Sequence, residues 1–113
     1  MAATKGNASL LSAVTTTQVS SAVNTSTYYA QSVYVSIAQT STPATGATFF
    51  IEQSPDGGTT YYNGQTYSGP VTATTQYWEI ALDPTCTSVK ISFTVASSGT
   101  STCTAQVGYI SGI

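Results

Sequence analysis

At 113 residues the chain holds one domain, long enough for a single core and too short for a propeller of four-stranded blades. Only 5 % of its residues are charged, against about a quarter in an ordinary globular chain, and Lys5, Lys90, Glu52, Asp56, Glu79 and Asp83 are all of them. Two lysines, no arginine and a net charge of −2 cannot neutralise a row of phosphates, which excludes nucleic acid as an electrostatic partner.

Residues 1 to about 17 are small and polar and lack sustained alternation. They are expected to form an N-terminal arm or tail, with a single β-sandwich domain over residues 18–113. The most apolar run there, Leu10-Leu11-Ser12-Ala13-Val14, falls short of a signal-peptide core of roughly 7 to 15 apolar residues. Nowhere does the chain reach the about 20 apolar residues of a membrane span, so no membrane partner is expected and the chain reads as soluble and unprocessed.

From there on, apolar and polar residues alternate at period two, the mark of strands with one buried face. Gln18 to Val23 is a weak candidate and Val33-Tyr34-Val35-Ser36-Ile37 a clear one. Phe49 to Gln53 and a short return over Thr59 to Tyr62 follow, then Tyr77 to Leu82, Val89 to Val95 and Cys103 to Tyr109. Loop compositions separate them at Thr40 to Gly46, Gly64 to Pro70, Asp83-Pro84 and Ser97 to Ser101. The pattern predicts an all-β fold, an Ig-like antiparallel β-sandwich of about seven strands, with a small jelly roll or barrel as the competing architecture. Trp78, on one face with Ile80 and Leu82, is the expected large core side chain.

Between two of these strands, "SPDGGTTYY" has the composition of a tight turn. Ser54, Pro55, Asp56 and Gly57 suit the successive positions of a type I turn, and Gly57 and Gly58 supply positive φ for a following bulge. The Ser54 and Asp56 side chains are expected to bond nearby backbone N–H groups while Thr60 and Tyr61 begin the return strand. The stretch also fits S-x-D-x-G-x-T-aromatic, a pattern called an Asp-box where it closes hairpins of sialidase propellers. One copy, without arginines or a nucleophilic tyrosine-glutamate pair, implies a structural turn rather than a catalytic centre. A calcium site on Asp56 would find only Glu52 as a second nearby carboxylate.

Other chemistry is similarly short of parts. Without histidine there is no Ser-His or Cys-His nucleophile, and no CxxC or Cys/His cluster suggests a metal. Cys86 and Cys103, placed at far ends of a hairpin of Val89 to Val95 with Thr102 to Ile110, stand several residues apart at about 3.3 Å each. That exceeds the roughly 7 Å Cα limit for bridging, so two free thiols are expected, with an intra-chain or inter-subunit bridge as the alternatives. Glu52 and Glu79 could in principle face one another as a glycosidase pair, yet each reads as the outward residue of an alternating strand. No catalytic residue, metal or cofactor is expected. Eight tyrosines are many for this length, and the adjacent pairs Tyr28-Tyr29 and Tyr61-Tyr62 must place one ring on each sheet face. Tyr28, Tyr29, Tyr62 and Tyr67 are the candidate interface residues.

The succession "STYYAQSVYVSIAQ", "ATFFIEQSPDGGTTYY", "TTQYWEIALDPTCTSVKISFTV" and "AQVGYISGI" resembles small all-β virion proteins of tailed bacteriophages over roughly residues 20 to 110. That resemblance implies a non-enzymatic, homo-oligomeric decoration or cement protein located on the virion, stabilising the head through contacts with the major capsid protein or other virion proteins. A tail, fibre or head-tail component, or a carbohydrate-binding module using Tyr61, Tyr62 or Tyr67, is the alternative.

Overall fold

The computed structural model describes residues 3–112, which form strands and loops with no helix, and so none long and apolar enough to cross a membrane. The strands are β1 (Thr4–Val14), β2 (Gln18–Val19), β3 (Val23–Asn24), β4 (Tyr28–Gln39), β5 (Thr48–Ser54), β6 (Tyr62–Ser68), β7 (Thr75–Ala81), β8 (Ser88–Thr94) and β9 (Ser101–Ser111). They build two antiparallel sheets, one ordered β1-β9-β4-β7 and the other β2-β8-β5-β6, with β3 also paired to β8.

The expected β-sandwich is therefore present, and the strand order identifies which kind. Apart from the break between β2 and β3 and the β5–β6 hairpin, each connection carries the chain from one sheet to the other. Two interleaved four-stranded layers with β2 and β3 as one broken strand are the jelly roll, the competing architecture, rather than the Ig-like arrangement. Alternation builds the core between the layers. Val33, Val35 and Ile37 of β4, with Cys103, Ala105 and Val107 of β9, face Phe49 and Ile51 of β5 and Val89, Ile91 and Phe93 of β8, all of them buried. Each large aliphatic or aromatic side chain so enclosed contributes about 1.5–3 kcal/mol. Trp78 packs edge-on against Phe49 at 4.9 Å.

Three expectations are corrected. The segment read as an arm or tail is β1, an edge strand paired with β9 from Thr4↔Ser111 to Val14↔Cys103, so the sandwich begins well before residue 18. Register shifts between Ser9 and Leu11 and between Leu11 and Val14 interrupt its alternation. They let the neighbours Leu10 and Leu11 both enter the core, where a regular strand would turn one outward. Ala13, beside the second shift, has φ of 48° and donates its N–H to Thr104 Oγ1 at 3.2 Å.

Secondly, the return strand is Tyr62–Ser68 rather than Thr59 to Tyr62, so most of the Gly64 to Pro70 loop is strand. This edge strand turns only Tyr67 into the core, which removes the periodic signal. Thirdly, β8 and β9 are not a hairpin; the loop after β8 crosses to the other sheet, where β9 lies between β1 and β4. Cys86 and Cys103 are both buried and free, one just before β8 and the other within β9.

Candidate interaction sites

The turn after β5 is closed by its own side chains. The buried Ser54 hydroxyl donates to Asp56 Oδ1 at 2.6 Å and accepts the Gly58 N–H at 2.9 Å, while Asp56 Oδ1 also accepts the Thr60 N–H at 2.9 Å. Those bonds favour the ionised form and hold the Asp56 carboxyl below the usual carboxylate range, Ser54 contributing most. Gly57 and Gly58 sit at φ of 77° and 98°, a region side chains rarely adopt. Pro55 is exposed at the turn's tip. From β8's side, Thr87 donates its N–H to Ser54 O at 2.8 Å and accepts the Gly57 N–H at 2.9 Å. Tyr61 hydrogen-bonds Ser88 Oγ at 2.9 Å, and Lys90 Nζ lies 4.2 Å above its ring. The loop thus fastens the β5–β6 hairpin to β8, and Tyr61 is committed to the fold rather than free to stack on a sugar.

The tyrosines proposed for an interface divide. Tyr28 stacks on Tyr109 at 3.8 Å with planes 2° apart, and Tyr67 stacks on Phe49 at 5.0 Å, so these two rings are packed within the molecule. Burial first, and Tyr109 second, push the Tyr28 hydroxyl above its ordinary pKa. Tyr29 and Tyr62 are instead 60 % and 64 % exposed.

Two further exposed rings were absent from the expected set. Tyr34 and Tyr77, 43 % and 77 % exposed, project from the outer face of the β1-β9-β4-β7 sheet. Their alternation with Val33, Val35 and Trp78 marked them as outward positions. Tyr34 lies across Gly108, where a Cβ would stand 2.8 Å from the ring. Hollows of about 320 and 220 Å³ flank Tyr34. Ser32, Ser36, Thr104, Gln106 and Ile110 line them, and among the described residues only Lys5 and Glu79 bring charge to this face.

Glu52 and Glu79 occupy opposite outer faces. Glu52 lies in β5 opposite Asn63 and Lys90, and Glu79 lies in β7 opposite Tyr34, so the two carboxylates do not share a cleft. The Cys103 thiol is pushed up to about 12 by burial and is no nucleophile at neutral pH. Among the described residues no three of His, Cys, Asp and Glu gather as a metal site would require.

No family model and no curated protein matches the sequence. Solved structures share the fold. The SPBc2 prophage-derived protein YomS is 14 % identical with a TM-score of 0.56, covering 96 % of both chains. The VP2 subviral particle of infectious bursal disease virus is 13 % identical with a TM-score of 0.56, covering 96 % of this chain and 32 % of that one. The K3 cleaved adhesin domain of Lys-gingipain from Porphyromonas gingivalis is 7 % identical with a TM-score of 0.54, covering 82 % of this chain and 61 % of that one. The chain thus spans about a third of the VP2 chain and under two thirds of the adhesin domain.

Proposed function

We propose that the chain is a non-enzymatic structural protein of a virion, a decoration or cement protein that binds the major capsid protein of a phage head in many copies. The observation that carries this reading is the outer face of the β1-β9-β4-β7 sheet. Tyr34 and Tyr77 stand there above small neutral side chains, with hollows beside Tyr34 and almost no charge. Exposed aromatic anchors amid uncharged surface are what a protein-protein contact core requires. Repetition over a symmetric shell turns a modest contact into firm retention. The jelly-roll fold shared with a prophage-derived protein and a subviral particle supports the reading, as does the separation of Glu52 from Glu79.

Purified particles analysed by quantitative mass spectrometry test it. A copy number in simple proportion to the major capsid protein is expected, together with loss of the protein from particles when Tyr34 and Tyr77 are both changed to Ala. A few copies per particle would place it in the tail, fibre or head-tail junction, and absence from particles would end the virion reading.

A further inference from the structure

Gln53 and Tyr62 are direct partners across β5 and β6, so both side chains leave the sheet on the side facing the other layer. Farther along the same ladder, Phe49 and Tyr67 are also partners and meet in the core. Tyr62, by contrast, is 64 % exposed. The sheets part at this end and leave a cleft of about 260 Å³, lined by Tyr62 and Asn63 of β6, Asp83 and Thr85 of the β7–β8 connection, and Gln53. An inward-directed aromatic ring here borders open space instead of a filled core.

The polar side chains around that ring are fixed. Gln53 Oε1 accepts the Asp83 N–H at 3.0 Å, and Asp83 Oδ1 accepts the Thr85 N–H and hydroxyl at 2.8 and 2.7 Å. The Thr85 bonds hold the Asp83 carboxyl below the usual range, so it is ionised at neutral pH. These bonds leave the Gln53 amide N–H groups as donors and Asp83 Oδ2 as an acceptor.

We infer that this cleft binds a neutral saccharide, one sugar ring stacking on Tyr62 while Asp83 and Gln53 bond its hydroxyls. A sugar combines an apolar face with a rim of groups that donate and accept, which matches one exposed ring among pre-oriented planar side chains. The volume suits a single terminal ring. An ionised Asp83 disfavours acidic ligands, and one carboxylate with an oxygen already bonded is too few for a cation. The inference is independent of the particle reading, since the cleft lies at the end of the sandwich and Tyr34 and Tyr77 lie on an outer face.

A microarray of neutral and acidic glycans probed with the whole chain, followed by NMR titration of the strongest binder, tests it. A neutral glycan should bind, and Tyr62→Ala and Asp83→Asn should each weaken it about tenfold or more, with Tyr77→Ala leaving it unchanged. Asn retains the Oδ1 acceptor for Thr85, and the exposed Tyr62 can be truncated with an unaltered melting curve, so loss of fold is separable from loss of binding. A blank array, preference for acidic glycans, or binding undiminished by Tyr62→Ala would overturn the inference.

Discussion

Gln31 and Gln39 stand near opposite ends of β4, both on its inner face and both buried, yet their amides are treated differently. Gln39 accepts the Ser101 hydroxyl at 2.6 Å and donates to Ser98 O at 3.0 Å, and Ser101 in turn accepts the Ala96 N–H at 3.1 Å. Gln31 donates to Asp83 O and Cys86 O only at 3.4 Å, and its Oε1 has no partner. Gln39 closes its end of the sandwich by fixing the loop that crosses from β8 to β9. Gln31 backs the connection that borders the Tyr62 cleft. At the closed end the buried Ser41 hydroxyl is also unpaired. The difference lies in the two amides: Gln39 is bonded through both its oxygen and its nitrogen where it fixes the β8–β9 crossing, whereas Gln31 keeps an open acceptor behind the Tyr62 cleft.

The largest effect is expected from β1, which runs from the open end at Thr4↔Ser111 to the closed end at Val14↔Cys103. Deleting residues 1–15 removes Leu10 and Leu11 from the core. At about 2–5 kcal/mol for each large aliphatic lost, against a total of about 5–15 kcal/mol, the chain should fail to fold. Circular dichroism would show no cooperative melt. Deleting residues 1–7 removes only the open-end pairs and should leave a folded, less stable protein. A normal melt for the longer deletion would mean that β1 is an arm after all.

Next in size are the two glutamine ends themselves. Ser101→Ala strands Gln39 Oε1 and the Ala96 N–H inside the closed end and should cost about 1–3 kcal/mol in urea titration. Gln31→Met removes an orphaned oxygen at similar shape and should stay within about 1 kcal/mol of the parent, in either direction. Equal losses would erase the asymmetry.

Acid should then distinguish the ends. Asp56 and Asp83 both have carboxyls held below their ordinary range, whereas no charged residue lies in 91–113 or 6–51. A depressed folded pKa contributes stability above the unfolded value of about 3.9, lost as pH falls through the folded pKa. Melting temperature should drop below about pH 4, less steeply in Asp56→Asn, with hydrogen exchange accelerating first in 54–61 and 82–88. Acceleration first in 39–47 and 94–101 would contradict it. Smallest of all, Tyr77→Ala should alter stability by no more than about 0.5 kcal/mol, because that ring is 77 % exposed.

Strands with an uninterrupted inner face were legible in the sequence. Val33 to Ile37 and Val89 to Val95 alternate without a break because each pairs with neighbours on both sides of a layer. β1 and β6 were hidden for a shared physical reason: edge strands bury little, and bulges displace what they do bury. The sheet partition was hidden because the short polar loop after β8 is as capable of a hairpin as of a crossing. At the surface, Ser54 to Gly58 announced their turn through local chemistry. Tyr28 and Tyr67 did not announce their partners Tyr109 and Phe49, which lie on other strands and become neighbours only through the sheet pairing. Tyr34 and Tyr77 were readable as outward positions, but the face they share depends on the pairing of β4 with β7.

Electron cryomicroscopy of purified particles tests the central claim most directly. The account predicts a jelly-roll density repeated over the outer surface of the head, with the Tyr34 and Tyr77 face against the shell and the Tyr62 end turned to solvent. A head surface bare of that density, or the same sandwich attached with its Tyr34 and Tyr77 face fully in solvent, would contradict it.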